Sequence, residues 1–175
     1  MKFWPANEGD IDCIRPLQAG DIDAVCSIVN DNWKRVYSGY INPELLTEQG
    51  CAERSGQLKA DFASGRLREY VWEEYGTILA LLSIGSTADE DKRGAFEVWR
   101  IYVSKEAQGK GIGKTLLTFA EQQARTGHFH EIVIWAFKEN AHAVLFYEKH
   151  GYVIEKEEYL GMPYLAHGIR LSKKI

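Results

Sequence analysis

Residues 103–115 read V-S-K-E-A-Q-G-K-G-I-G-K-T, and this stretch decides the fold because it joins a strand to a helix through glycines. The apolar segment before it predicts a central strand, and an amphipathic helix follows from about Gly111. A glycine-rich turn of this kind exposes backbone N–H groups at a helix N-terminus, where the helix dipole is positive. The stretch therefore predicts an anion site, and phosphate is the anion that suits it best.

The glycine spacing excludes two common phosphate loops. A Walker A loop ends in Gly-Lys-Ser/Thr, which residues 113–115 supply, but the position of its opening glycine is occupied by Gln108. The dinucleotide fingerprint G-x-G-x-x-G also fails, because a count from Gly109 reaches Lys114 where the third glycine should stand. The pattern that fits is Q-x-x-G-x-G, beginning at Gln108.

Periodicity and turn residues predict the element order β-α-α-β-β-β-α-β-α-β-β. The expected strands are residues 11–15, 69–75, 77–87, 96–104, 131–137, 152–158 and 164–171. The expected helices are residues 22–37, 43–63, 111–125 and 140–151. Strand–helix alternation in the second half predicts parallel pairing there, and the hairpins predict antiparallel pairing elsewhere. The expected fold class is α/β (α+β mixed), with a central mixed β-sheet flanked by helices on both faces.

A second motif at residues 140–152 reads N-A-H-A-V-L-F-Y-E-K-H-G-Y. With the Q-x-x-G-x-G loop, it resembles the GCN5-related N-acetyltransferase (GNAT) family, small bacterial-type members, in which this segment reads N-x-x-A-x-x-F-Y-x-x-x-G-F/Y. The resemblance covers roughly residues 11–171. It implies the acyl-CoA N-acyltransferase fold in a single domain, 1–175, with its core at about 11–172. It also implies an acetyl-CoA-dependent N-acetyltransferase that acts on a primary amine by direct attack in a ternary complex.

Tyr147 is the expected general acid. On the helix that begins at Asn140 it shares a face with Ala143 and Val144. The resemblance puts the matching tyrosine beside the coenzyme A sulfur, where a phenol with a reference pKa near 10 is protonated and can donate to the leaving thiolate. From helical spacing alone, a core aromatic on an apolar face is the alternative.

Glu97 is the expected general base. A carboxylate in a mostly apolar central strand has a raised pKa when it is buried, which suits proton removal directly or through water. Simple alternation predicts that Glu97 shares a face with Ile101 and Val103, opposite Arg100. Some family members carry the glutamate two residues nearer the loop, where this chain has Trp99. A structural carboxylate paired with an arginine is the alternative.

The resemblance also implies how acetyl-CoA, the only expected cosubstrate, is held. The strand backbone at residues 101–103 would pair with the pantetheine arm where the sheet splays, and the Val103 N–H would polarise the thioester carbonyl. Backbone N–H groups of the loop would cradle the pyrophosphate. The expected cofactor-binding residues are Ile101, Tyr102, Val103, Gln108, Gly109, Lys110, Gly111, Ile112, Gly113, Lys114, Asn140, Ala143 and Phe146.

The sequence says less about the site of the acetyl acceptor than about the site of acetyl-CoA. The first two helices commonly wall the acceptor site in this family, which makes Trp33 and Tyr37 the expected substrate-binding residues. The acceptor is a small-molecule amine or a protein amine. Two other readings stay open: a non-catalytic acyl-CoA-binding or sensing module, and an acyltransferase acting on a protein N-terminus or a hydroxyl. Dimers are frequent in the family, so a homodimer is open as well.

Composition excludes several classes of function. The formal net charge of −4 gives no basic footprint for nucleic acid. The longest apolar run, near residues 78–84, is too short for a bilayer. Because the N-terminus lacks a signal-peptide core, a cytoplasmic protein with no membrane partner is expected. Three cysteines without C-x-x-C, and histidines without ligand spacing, predict small buried thiols and no metal site.

Overall fold

The computed structural model describes residues 13–175 and contains the predicted elements in the predicted order. The strands are β1 Ile14–Pro16, β2 Arg68–Glu74, β3 Thr77–Ser86, β4 Phe96–Val103, β5 Glu131–Phe137, β6 Val153–Tyr159 and β7 His167–Lys174. The helices are α1 Ile22–Val36, α2 Glu48–Ser64, α3 Ile112–Thr126 and α4 Ala141–Lys149. Residues 11 and 12 of the predicted first strand, and the N-terminus in which no signal-peptide core is predicted, lie outside the described residues.

The strands form one mixed sheet in the order β1-β2-β3-β4-β5-β7-β6. Among the described strands, β4 and β5 pair in parallel and all other neighbours pair antiparallel. The parallel pairing predicted from strand–helix alternation is therefore correct for β4-α3-β5. It is wrong for β5-α4-β6, because β7 lies between β5 and β6 and pairs antiparallel with both.

Helices cover both faces of the sheet, as predicted. On one face α3 and α4 pack on β2–β5 and β7, with the inward residues of α3 fully buried. On the other face α1 and α2 pack on β2 and β3. The predicted inward residues of α3 are confirmed: Leu116, Leu117, Ala120 and Ala124.

The helix predicted from Pro43 is two separate elements. Pro43–Leu46 is a single 3₁₀ turn, and α2 begins only after Thr47, whose extended backbone (φ −69°, ψ 170°) interrupts the helical path. The Thr47 side chain then accepts the Gly50 N–H and caps α2.

A β-bulge at Trp99 corrects the predicted faces of β4. The register with β3 shifts so that Ser83 faces Arg100 while Ile84 faces Val98. The extra residue reverses the alternation. Phe96 and Val98 before the bulge, and Ile101 and Val103 after it, all pack on the α3/α4 side. Glu97 therefore lies on the α1/α2 face, opposite Ile101 and Val103 and together with Arg100, so the predicted face sharing is wrong.

The structure also bears on a membrane span, a metal site and the burial of the cysteines. Over residues 13–175, none of the helices has the length and apolar character needed to cross a bilayer. The same residues contain no group of three or more His, Cys, Asp or Glu side chains that could hold a metal ion. Of the cysteines, Cys26 is buried as predicted, whereas Cys13 and Cys51 are only partly buried.

Candidate active site

The sheet opens between β4 and β5. Their parallel pairing covers only Phe96–Val98 against Ile132–Ile134, although both strands continue beyond it. A cleft of about 1050 Å³ fills the resulting gap and extends to the glycine loop. Its volume is slightly above the usual range for ligand pockets, about 300–1,000 Å³.

The edges of this gap present backbone groups without strand partners. The Ser104 N–H donates to the Leu79 carbonyl at 2.8 Å, and Val103 is the Cα partner of Ala80. Because backbone groups alternate in direction along an antiparallel strand, the N–H groups of Ile101 and Val103 must point away from β3 and into the gap. β4 therefore offers an extended ligand the hydrogen bonds that a neighbouring strand would otherwise make.

The glycine loop forms the wall of the cleft at the start of α3. Gly109 and Gly111 have φ values of +78° and +86°, which L-residues rarely adopt, and open space surrounds both. Gly113 differs, since its backbone is helical and an added Cβ would make only an ordinary contact, 3.7 Å from the Phe146 ring. Within residues 13–175, neither backbone conformation nor packing requires glycine at position 113, which lies in the lining of the cleft.

The Tyr147 side chain lies in α4 with 6% of its surface exposed, and it lines the cleft. Its ring packs against Phe146 at 5.3 Å and Tyr152 at 6.0 Å between centroids. Burial, with a smaller contribution from Tyr102, raises the pKa of Tyr147 above its usual value. The hydroxyl is thus protonated at physiological pH, and within residues 13–175 it has no hydrogen-bond partner.

Glu97 is 5% exposed and lies where β4 still pairs with β5, opposite Val133. Burial raises the pKa of Glu97 to about 7; a Thr87 hydrogen bond lowers it, and the Asp89 charge raises it further. Glu97 does not line the cleft directly. It faces the same side of the sheet as Trp135 and Phe137, because side chains alternate along β5 from Val133.

An aromatic cluster closes the end of the gap on the α1/α2 face. The Phe137 ring lies 5.0 Å from Tyr37 and 6.0 Å from Trp33, and the Trp33 indole donates to the Tyr102 hydroxyl at 2.9 Å. Burial raises the pKa of Tyr37 well above its usual value. The remaining members of the cluster are Tyr40 and Tyr164.

The loop between β6 and β7 is fastened over this cluster by Asn42. The Asn42 backbone N–H donates to the Tyr164 carbonyl at 2.8 Å, and its side chain donates to the Pro163 carbonyl at 3.0 Å. The same side chain accepts the Glu44 N–H. These hydrogen bonds join the two loops beside the aromatic cluster.

Most of the predicted site residues meet in the cleft, and three do not. Glu97, Lys110 and Trp33 are not part of its lining, although Trp33 contacts it through Tyr37 and Tyr102. The predicted residues that line it are Tyr37, Ile101, Tyr102, Val103, Gln108, Gly109, Gly111, Ile112, Gly113, Lys114, Asn140, Ala143, Phe146 and Tyr147. Asn140 also caps α4 by accepting the Ala143 N–H at 3.3 Å.

Sequence reasoning missed several lining residues, among them the polar residues Asn32 and Arg35 of α1. Asn32 is 6% exposed and occupies an inward position of an otherwise apolar helix face. That position is the signal that could have identified it, since a buried amide needs hydrogen-bond partners. The other missed residues are Val36, Val98, Trp99, Arg100, Ala107, Ile134, Ala136, His142, Lys149 and His150.

A mixed sheet that opens at the parallel pair β4/β5, with a glycine loop and a helix N-terminus at the mouth of the gap, is the architecture of the acyl-CoA N-acyltransferases. The chain belongs to the acetyltransferase (GNAT) family, whose family model matches residues 28–152. The family, the fold class and the acetyltransferase activity predicted from the sequence are thereby confirmed. This family uses acetyl-CoA as the acetyl donor and needs no metal.

Individual relatives agree with the family assignment. The spermidine N(1)-acetyltransferase of Thermoplasma acidophilum is 27% identical over 151 residues, which cover 81% of this chain and 88% of that one. The structure of PaiA N-acetyltransferase from Thermoplasma acidophilum in complex with coenzyme A superposes with a TM-score of 0.73 at 23% identity, covering 93% of this chain and 98% of that one. YncA from Salmonella typhimurium, solved with acetyl-CoA, gives a TM-score of 0.68 at 21% identity and covers 92% of both chains.

Proposed function

We propose that this protein transfers the acetyl group of acetyl-CoA to a primary amine by direct attack within a ternary complex. The observation that carries the proposal is the gap between β4 and β5, which connects the glycine loop to the aromatic cluster. A donor and an acceptor that enter from opposite ends would meet in this gap. No covalent enzyme intermediate is needed, because the gap brings the two reactants together.

The chain's own groups suit a coenzyme A thioester. Free N–H groups at the start of α3 and the Lys114 side chain would hold the pyrophosphate, and the space preserved by Gly113 would admit it. The cleft-facing backbone of Ile101 and Val103 would pair with the pantetheine arm. The Val103 N–H would then donate to the carbonyl oxygen as negative charge develops on it. Acetyl-CoA supplies the activated acetyl group.

Tyr147 is the proposed general acid. It lines the cleft, its raised pKa keeps it protonated, and its hydroxyl is free to donate. A positioned acid of this kind would give its proton to the thiolate as the carbon–sulfur bond breaks.

Glu97 is the proposed general base. Its pKa of about 7 leaves a substantial ionised fraction at neutral pH while keeping enough basicity to take a proton from an ammonium group or a water. Its position on the same face as Trp135 and Phe137 supports contact with the acceptor side. Because the carboxylate is not in the lining of the cleft, the proton would reach it through a water.

The enclosed aromatic cluster favours a small amine over a peptide as acceptor. Trp33 and Tyr37 would wall the site, and aromatic faces attract an alkylammonium ion. Asn42 fastens the covering loop, which narrows the space available to a polypeptide. A linear polyamine is the leading candidate, since the relative from Thermoplasma acidophilum is named for spermidine.

Calorimetric titration with acetyl-CoA and coenzyme A, followed by thiol release with a panel of amines that includes spermidine, tests this function. Tight stoichiometric binding with amine-dependent thiol release supports it. Binding without release for any amine would favour the non-catalytic sensing module instead. Release only with peptides or alcohols would favour a protein N-terminus or a hydroxyl acceptor. The cytoplasmic location and the homodimer stay predictions.

A further inference from the structure

A hydrogen-bond network centred on the buried Asn32 amide joins α1 to the end of β4 and to the glycine loop. The Asn32 amide donates to the Ile28 carbonyl at 2.9 Å and to the Val103 carbonyl at 3.1 Å. Its oxygen accepts from Arg35 at 3.1 Å and from Gln108 at 3.4 Å. All four hydrogen-bonding positions of the amide are used, so its orientation is fixed.

The Val103 carbonyl receives a second donor from the loop. Gln108 Nε2 lies 3.1 Å from it, so two side-chain amides hold the same backbone oxygen. This oxygen is on the β4 edge that faces the gap, where an unpaired carbonyl would repel the oxygen of a thioester. Because two side chains already donate to this carbonyl, the Val103 N–H is the backbone group of this residue that remains available to the ligand.

We infer that Asn32 is a positioning residue, which acts with Gln108 to aim the Val103 N–H at the thioester carbonyl. Asn32 touches no reacting atom in this scheme. It fixes the position of the Val103 backbone from α1, the helix that also carries Trp33 and ends immediately before Tyr37. The inference rests on the proposed function, because it assigns the Val103 N–H to the carbonyl of acetyl-CoA.

The decisive variant is Asn32→Asp, which keeps the shape and the acceptor for Arg35 but removes both N–H donors. Asn30→Asp is the matched control. The Asn30 amide lies on the same helix and donates to the Ser55 hydroxyl at 3.0 Å, away from β4. Gln108→Met tests the second donor at an exposed position, so it tests the network even if Asn32→Asp fails to fold.

The readouts are the affinities for acetyl-CoA and for coenzyme A, together with kcat. Coenzyme A has no carbonyl at the sulfur, so only acetyl-CoA reports the Val103 N–H. We expect Asn32→Asp to lose the preference for acetyl-CoA and to lower kcat about 10- to 100-fold, with coenzyme A affinity within about threefold of wild type. Gln108→Met should change the same two quantities less, and in combination the two changes should be non-additive because they share one acceptor.

Three results would overturn the inference: equal losses in the Asn30 and Asn32 variants, an unchanged acetyl-CoA preference in both network variants, or a wild type without such a preference. Failure of the proposed function has a different signature, namely a wild type that binds neither molecule or never releases thiol. The two failures are therefore distinguishable in the same experiment.

Discussion

Removal of the Tyr147 hydroxyl should reduce the rate of transfer without weakening the fold. A positioned acid contributes about 10²- to 10⁴-fold, so kcat of Tyr147→Phe should fall about 100-fold or more. The hydroxyl has no hydrogen-bond partner among the described residues and the ring stays packed, so the free energy of unfolding should change by less than about 0.5 kcal/mol. Acetyl-CoA affinity should be unchanged, because the proposed role of Tyr147 is to protonate the leaving thiolate.

Tyr152→Phe is the matched control for this prediction. Tyr152 is equally buried and contacts the Tyr147 ring, but its hydroxyl donates to Glu121 at 3.3 Å and it does not line the cleft. Removal of the Tyr152 hydroxyl should lower the free energy of unfolding by about 1 kcal/mol and leave kcat unchanged. The assays are thiol release between pH 6 and about 9, calorimetric binding and denaturant unfolding. An unchanged kcat in Tyr147→Phe across that range, with normal cofactor affinity, would refute the acid role.

Three further predictions concern the base, the loop and the acceptor wall. Glu97→Gln should abolish the rise of kcat with pH near 7. Because the pKa of Glu97 is raised in the folded state, the free energy of unfolding of the wild type should fall as the pH increases from 4.5 to about 7. In urea titrations at pH 8 the variant should therefore be more stable than the wild type by about 3 kcal/mol. Gly113→Ala should keep or raise the midpoint of thermal unfolding, since the added methyl group makes only an ordinary contact with Phe146. The same change should weaken acetyl-CoA binding by about tenfold or more in calorimetric titration. Trp33→Leu should raise KM for the amine in thiol-release assays, with acetyl-CoA affinity unchanged; an unaltered KM would remove the residue from the acceptor wall.

The loop and the order of the elements could be predicted from the sequence because both depend on short-range rules. Gly111 adopts the positive φ that its residue type allows, and Asn140 caps the helix that begins after it. The Tyr75-Gly76 turn also has positive φ at both positions, as a tight hairpin requires. Each of these features is fixed by neighbours within a few positions in the chain.

The faces of β4 could not be predicted, because a bulge has no short-range signature here. Alternation along an unbroken strand would put Glu97 beside Ile101, and only the register with β3 shows that one extra residue at Trp99 reverses this. The insertion of β7 between β5 and β6 is a similar case. The position of β7 depends on which strands it pairs with, and no local sequence pattern determines that pairing.

The sequence by itself determined the class of this protein: the glycine-rich turn, the helix that carries Tyr147 and the alternation that brings them onto one sheet. Those features follow from backbone preferences and hydrophobic periodicity. Only the tertiary structure decided which groups face the reacting centre. The bond from Asn32 to the Val103 carbonyl joins residues 71 positions apart, and the raised pKa of Glu97 comes from burial. Long-range packing produces both, so they exist only in the folded chain.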